Sequence, residues 1–209
     1  MIPSNQLSTL IAVAAALWAF FLFLGGITAS PKFLAPFSSV TGALGLLLLA
    51  FDRWLWRIPF LHSWFVEVPN LRGVWCAEIR STWKDPATGQ GPDTIEGYMV
   101  IRQTYSTISM RLITRESSSK LTAGRILKEP DGLYLITGVY NNESKHSFRE
   151  RSPIHYGSLI LTVVGDPPQK LCGHYWTDRG TRGELSLTER KREFPYDFET
   201  AAKAYQVIS

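Results

Sequence analysis

The first quarter of the chain is almost free of charged side chains, and this constrains the fold more than any other feature. Lys32 is the only charged residue in residues 1–51, although the chain carries 22 Lys and Arg and 18 Asp and Glu. Soluble domains have about one charged residue in four. Residues 1–51 are therefore predicted to lie in an apolar environment, whereas residues 52–209 have the charge density of a soluble domain.

Two long apolar runs occupy the uncharged region. Residues 7–29 are mostly Leu, Ala, Phe and Ile, and residues 33–51 form a second uncharged run. About twenty helical residues cross the roughly 30 Å hydrocarbon core of a bilayer. A cleaved signal peptide fits less well, because no basic residue precedes the first run and the run is too long. The sequence predicts a transmembrane helical hairpin over 1–52, with helices at about 7–29 and 33–51 and a turn at Ala29–Lys32.

Residues 53–68 are predicted to form a juxtamembrane linker. Arg53 and Arg57 follow the second helix, whereas Lys32 alone lies in the turn, so the positive-inside rule places both termini in the cytoplasm. The two cysteines are far apart in sequence, which agrees with a reducing compartment. The tryptophans of the linker, typical of a membrane interface, are Trp54, Trp56 and Trp64.

The hydrophobic period changes to two after Pro69. Eight short alternating runs follow, separated by turns rich in Pro, Gly and Asp. Such a pattern in about 120 residues predicts an all-β antiparallel domain over 69–190, either a small eight-stranded barrel or a sandwich. A barrel of this size is filled by side chains or holds one small ligand. The tail, 191–209, is predicted to contain a short helix beginning at Phe198. The predicted strands are 73–80, 97–104, 107–114, 118–127, 132–140, 158–164, 170–177 and 183–189.

The sequence carries no signature of an enzyme. Cys76 and Cys172 are far apart, and no two histidines have the spacing of metal ligands, so neither a zinc site nor any other metal site is expected. There is no Walker loop and no Gly-x-Ser-x-Gly elbow. We expect no catalytic residue, no metal and no cofactor.

The strongest candidate binding residues lie near the end of the seventh strand. Alternation places Tyr175, Thr177 and Arg179 on one face, which begins apolar and ends polar, as in a pocket with an apolar floor and a polar mouth. Arg179, with Arg182 nearby, suits a phosphate, and Tyr175 suits stacking on a base. The alternative is an ordinary half-buried strand whose arginine lies in solvent.

Two further polar clusters are candidates. Ser117, Ser118 and Ser119 offer hydroxyls to phosphate oxygens at the start of a strand, or they form a polar turn. Tyr140 and Asn142 end a strand, where they line the mouth of the barrel or cap a hairpin.

The order of several short motifs, behind an apolar hairpin, resembles one known family: the two-transmembrane, β-strand-rich membrane effectors of bacterial CBASS antiphage systems. The resemblance extends to about Arg192. Two positions depart from the pattern, since Gly138 stands where a Tyr is expected and Ser144 where a Pro is expected. The motifs are Leu71-Arg-Gly73-Val-Trp75, Gln103, Ser117–Ser119, Tyr140-x-Asn142, His155-x-Gly157-x-Leu159 and Leu171-x-Gly173-x-Tyr175-x-Thr177-x-Arg179, followed by Gly183.

The resemblance implies a minimal eight-stranded barrel that binds a cyclic di- or trinucleotide made by a cognate CD-NTase during phage infection. Binding would drive homo-oligomerisation of the hairpins in the bacterial inner membrane, with the barrel on the cytoplasmic side, and disrupt the lipid bilayer. No DNA or RNA partner is expected, because a net charge of +4 is small. The expected ligand-binding residues are Ser117, Ser118, Ser119, Tyr140, Asn142, Tyr175, Thr177, Arg179 and Arg182.

Two alternatives remain open at this point. Gly73-Val-Trp75 is similar to the Gly-x-Trp of lipocalins, which favours a membrane-tethered carrier of an apolar ligand. A structural subunit of a membrane complex is the other. A packed barrel interior favours the structural subunit, an apolar cavity favours the carrier, and a basic, aromatic-lined cavity favours the nucleotide sensor.

Overall fold

A computed structural model of the chain describes residues 4–26, 37–85, 87–92 and 94–206. The chain divides into two compact units, Met1–Glu67 and Val68–Ser209.

The first unit is helical. Helix α1 spans Ser4–Leu24, helix α2 spans Phe37–Arg53, and two short 3-10 turns follow at Leu55–Arg57 and Pro59–Ser63. Helix α1 ends at Leu24, before the predicted end near residue 29, and Gly25 and Gly26 form a turn directly after it. Gly26 has a φ of 59°, a left-handed conformation that commonly ends helices.

The predicted turn at Ala29–Lys32 lies outside the described residues. Within the described part of the chain, we find no helix that combines the length and the apolar character needed to span a membrane.

The second unit is a closed antiparallel barrel of eight strands in sequence order. Strand β1 pairs with both β2 and β8, which closes the barrel. This confirms the predicted eight-stranded barrel, and the sandwich alternative is wrong. The strands are β1 Gly73–Ser81, β2 Ile95–Gln103, β3 Ile108–Thr114, β4 Ser117–Lys128, β5 Tyr134–Ser144, β6 His155–Val164, β7 Lys170–Thr177 and β8 Arg182–Lys191.

One end of the barrel is closed by a hydrogen-bonded plug. The amide of Leu71 donates to Oε1 of Gln103 at 3.0 Å, and Nε2 of Gln103 donates to the carbonyl of Pro69 at 3.0 Å. Nε1 of Trp75 donates to the Leu71 carbonyl at 3.0 Å, and the Arg190 guanidinium lies over the Trp75 ring, 5.4 Å from its centroid. These contacts close this end of the barrel with buried, hydrogen-bonded side chains.

Helix α3, Phe198–Gln206, packs on the outside of the barrel. The ring of Tyr98 on β2 lies 5.2 Å from that of Phe198 and 5.4 Å from that of Tyr205. The Tyr205 hydroxyl is 2.9 Å from the carbonyl of Val74 and 2.6 Å from that of Glu189. The helix therefore covers the outer face where β1, β2 and β8 meet and leaves the interior free.

Candidate ligand-binding cavity

The open end of the barrel leads into a cavity of about 650 Å³. It lies at the end where the β1–β2, β3–β4, β5–β6 and β7–β8 loops meet, and its volume falls within the range of about 300–1,000 Å³ typical of small-molecule sites. The barrel is therefore not filled by its own side chains, which removes the observation that would have favoured a purely structural subunit. The apolar floor includes Met99, Met110, Leu121, Leu159 and Leu185.

Two tyrosines line the wall of the cavity, and each lies beside a glycine of the next strand. Tyr140 on β5 pairs with Gly157, and Tyr175 on β7 pairs with Gly183. A Cβ added at Gly157 would lie 2.4 Å from Cζ of Tyr140, and one at Gly183 would lie 2.7 Å from Cε1 of Tyr175. Each ring thus occupies space that a side chain on the neighbouring strand would fill, which places two aromatic groups along the cavity.

Both tyrosine hydroxyls stay protonated at neutral pH. Burial raises the pKa of Tyr140, and the neighbouring Tyr175 raises it further, while the charge of Arg179 opposes the shift. Burial also raises the pKa of Tyr175, against a hydrogen bond with Ser81. Both phenols can therefore act as hydrogen-bond donors throughout the physiological range.

The serine cluster is split by the alternation of the strand. Ser117 and Ser119 line the cavity. Ser118 pairs with Ile113, whose side chain packs with α3 on the outside, so the structure does not bring Ser118 to the cavity. Nδ2 of Asn142 donates to Oγ of Ser119 at 2.8 Å and to Oγ of Ser117 at 3.2 Å. The two inward serines therefore hold the amide of Asn142 in place.

Three buried polar atoms of the cavity wall have no hydrogen-bond partner within the described residues: Nε of Arg179, Oδ1 of Asn142 and Oγ of Ser144. A buried polar atom without a partner costs about 1–3 kcal/mol. The residues that carry these atoms line the cavity, so its wall includes a cationic, an amide and a hydroxyl side chain.

The turn between β7 and β8 positions Arg179. The Thr177 amide donates to the Thr181 carbonyl at 2.9 Å, and their hydroxyls lie 2.6 Å apart. Gly180 has a φ of 74°, which permits the tight reversal. Thr177, Arg179 and Thr181 line the cavity, whereas Arg182 is exposed and does not. The expected pairing of Arg182 with Arg179 at one ligand group is therefore not what the structure shows.

Sequence reasoning missed His155 as a lining residue. Its Nδ1 lies 3.1 Å from the carbonyl of Pro153, and burial lowers its pKa, with the charge of Arg179 acting in the same direction. The ring is therefore neutral at pH 7. The two-residue period that places Gly157 and Leu159 inside also places His155 inside, so the signal was present in the sequence.

Charged residues of the loops were also missed. Arg115, Arg151, Asp85 and Glu116 line the mouth of the cavity. The Arg151 guanidinium lies 2.5 Å from Glu116 and 3.5 Å from Asp85. Loops have no hydrophobic period, so nothing in the sequence placed these side chains together. The mouth carries both signs of charge and is not uniformly basic.

Comparison with known proteins gives relatives of one kind. The chain is 26% identical over 145 residues to CD-NTase-associated protein 15 of Staphylococcus schleiferi, covering 69% of this chain and 74% of that protein. It is 28% identical over 140 residues to CD-NTase-associated protein 15 of Yersinia aleksiciae, covering 66% of this chain and 63% of that protein.

Among solved structures, a redesigned beta barrel covers 58% of this chain and 92% of its own, at 14% identity and a TM-score of 0.25, a likeness too weak to carry an argument. The family model described as "Cap15, cyclic dinucleotide receptor domain" matches residues 66–189. That match contains the first seven strands, most of β8 and every cavity residue named above. This chain therefore belongs to the family of Cap15 cyclic dinucleotide receptor domains.

Proposed function

We propose that this protein is a CBASS effector whose barrel binds a cyclic dinucleotide made by a cognate CD-NTase. The observation that carries the proposal is the cavity itself: an apolar floor, two tyrosine rings on the wall, and a buried arginine Nε without a partner in the described chain. The family to which the chain belongs and the names of its relatives support the same ligand class.

The chemistry of the cavity suits the parts of such a ligand. A cyclic dinucleotide has two anionic phosphates and two aromatic bases. A charge-assisted bond from Arg179 to a phosphate contributes about 1.5–3 kcal/mol, and stacking on Tyr140 or Tyr175 about 1–3 kcal/mol per base. Oδ1 of Asn142 can accept from an exocyclic amine. A few such contacts reach micromolar affinity after the entropy of association, and the role needs no chemical step.

Calorimetric titration of the detergent-solubilised full chain against a panel of cyclic di- and trinucleotides tests this function. We expect saturable one-site binding to a cyclic dinucleotide. No binding by a folded protein, together with a fatty acid or other lipid recovered by organic extraction, would favour the carrier of an apolar ligand instead.

We propose in addition that the N-terminal unit places the protein in the bacterial inner membrane, with the barrel in the cytoplasm, and that ligand binding drives homo-oligomerisation and membrane disruption. Two observations support a lipid partner. Residues 1–51 contain one charged side chain, and large apolar side chains of both helices are exposed, a feature of surfaces that contact lipid or protein. These side chains include Phe20, Phe23, Leu24, Leu46 and Leu49.

A truncated chain separates the two roles. We expect the full chain to remain with membranes after alkaline extraction and to kill cells when a cognate CD-NTase is active. A chain lacking residues 1–51 should bind the same nucleotide, stay in the soluble fraction and leave cells viable. Killing by the truncated chain would overturn the membrane mechanism and leave nucleotide binding intact.

A further inference from the structure

Arg151 is held at the mouth of the cavity by carboxylates from two other loops. It lies in the β5–β6 loop, with Glu116 of the β3–β4 turn at 2.5 Å and Asp85 of the β1–β2 loop at 3.5 Å. The three side chains all line the cavity. The Arg151 guanidinium also lies 5.0 Å from the centroid of the Phe148 ring, which keeps it at the mouth independently of the carboxylates.

Arg179 and Arg151 thus both line the cavity, and their guanidinium groups differ in the partners that they contact. Nε of Arg179 is buried without a partner in the described chain, whereas Arg151 is paired with two anions. We propose that Arg151 is a second phosphate-binding residue, which exchanges Glu116 and Asp85 for a phosphate of the ligand. The inference rests on the proposed binding of a cyclic dinucleotide, whose two phosphates would then be shared between Arg179 and Arg151.

Both carboxylates stay solvated or hydrogen-bonded when Arg151 leaves them. The Glu116 side chain is 49% exposed, so water solvates it once Arg151 turns away. Oδ1 of Asp85 accepts from the amides of Ala87 at 2.8 Å and Thr88 at 3.3 Å. Asp85 therefore keeps its own loop bonds when Arg151 leaves its other oxygen. Exposed ion pairs are weak, and bonds from arginine to phosphate are among the strong ones, so exchange toward phosphate is favoured.

Titration of the full chain in detergent with the cyclic dinucleotide that the wild-type protein binds tests the inference. Arg151→Gln should weaken binding about tenfold or more, because it removes a charge-assisted contact. Glu116→Gln should tighten binding about twofold to fivefold, because it removes a competitor for Arg151. That gain should vanish in the double variant, since no guanidinium remains to be released.

The neighbouring Arg149–Glu143 pair supplies matched controls. Its atoms lie 2.6 Å apart in the same region of the chain, and neither residue lines the cavity. Arg149→Gln and Glu143→Gln should bind as the wild type does, and thermal melts should show that all variants are folded.

Wild-type affinity in Arg151→Gln, or weaker binding by Glu116→Gln, would show a pair that only tethers loops and would overturn the inference. If Arg179→Ala loses binding while Arg151→Gln does not, this inference fails and the proposed function stands. If the wild-type protein binds no member of the nucleotide panel, both fail.

Discussion

The ring of Tyr175 lies where a side chain at Gly183 would otherwise be, and the ring of Tyr140 lies in the same way beside Gly157. These pairs show at the scale of single residues how the cavity wall is built. Alternation alone identified Tyr175 and Thr177 as inward residues. The same rule applied to Ser117–Ser119 separates the middle serine from its neighbours, because successive side chains point to opposite faces of a strand. Arg182 lies outside for the same reason, because the next residue, Gly183, faces the Tyr175 ring and successive side chains alternate between faces.

Stacking on Tyr175 gives a residue-scale prediction. Tyr175→Leu should weaken nucleotide binding by about 1–3 kcal/mol, because it removes an aromatic face but keeps an apolar side chain. Tyr156→Leu is the control, since Tyr156 lies on the outside of β6 and is 61% exposed. Calorimetric titration measures both variants, and equal affinities for the two would contradict the placement of a base on Tyr175.

His155 gives a prediction about pH. Because burial lowers the pKa of its imidazole in the folded state, the unfolded chain binds a proton more readily than the folded one below pH about 6.5. This group therefore destabilises the fold as the pH falls through that range and contributes nothing above it. The thermal midpoint of His155→Gln should decline less between pH 7.5 and 5.5 than that of the wild type. An identical decline would show that the ring is not buried as described.

At the scale of elements, strand alternation predicted all eight strands but not the ends of β5 and β6. Strand β5 continues to Ser144, and β6 begins at His155. The physical reason is that Asn142, Ser144 and His155 face the cavity, so polar residues stand where a filled barrel would have apolar ones. Polar residues at the end of a strand resemble loop residues in a sequence. The cavity-lining residues therefore made the bounds of these two strands hard to predict.

The packing of β4 against β5 explains why Gly138 stands where the resembling family is expected to have a tyrosine. A Cβ at Gly138 would lie 2.5 Å from the carbonyl oxygen of Ala123 and 2.8 Å from Cδ1 of Leu121. The register of β4 against β5 shifts between Leu121 and Ala123, which brings the two backbones and the Leu121 side chain against Gly138. A tyrosine therefore does not fit at this position, and the tyrosines of the cavity wall are Tyr140 and Tyr175.

The contact between Gly157 and Tyr140 gives a prediction about strand packing. Gly157→Ala should destabilise the fold by about 1–3 kcal/mol, since the added Cβ meets the Tyr140 ring at 2.4 Å and the carbonyl of Trp176 at 2.7 Å. In a Tyr140→Ala background the cost should be smaller, because only the carbonyl contact remains. Chemical denaturation of the four proteins measures this coupling, and strictly additive costs would contradict the contact.

At the scale of the whole molecule, the two ends of the barrel differ: one is closed and the other leads into the cavity. The Gly73-x-Trp75 motif, which suggested a lipocalin-like carrier, belongs to the closed end, where Trp75 bonds to Leu71 and lies beneath Arg190. The motif is therefore explained by the closure of this end of the barrel and gives no information about a ligand. The polar residues that line the cavity lie at the other end, in strand ends and loops, and the loop residues were identified only from the structure.

Two arginines close together in sequence, Arg179 in the β7–β8 turn and Arg182 at the start of β8, test most directly whether a nucleotide binds in this cavity. Arg179 lines the cavity and Arg182 is exposed outside it, so alanine at either position removes one positive charge from nearly the same place in the chain. In titrations of the full chain with its cyclic dinucleotide, we predict that Arg179→Ala weakens binding about tenfold or more while melting as the wild type does. Arg182→Ala should bind as the wild type does. Equal affinity of a folded Arg179→Ala protein and the wild type would contradict binding in this cavity.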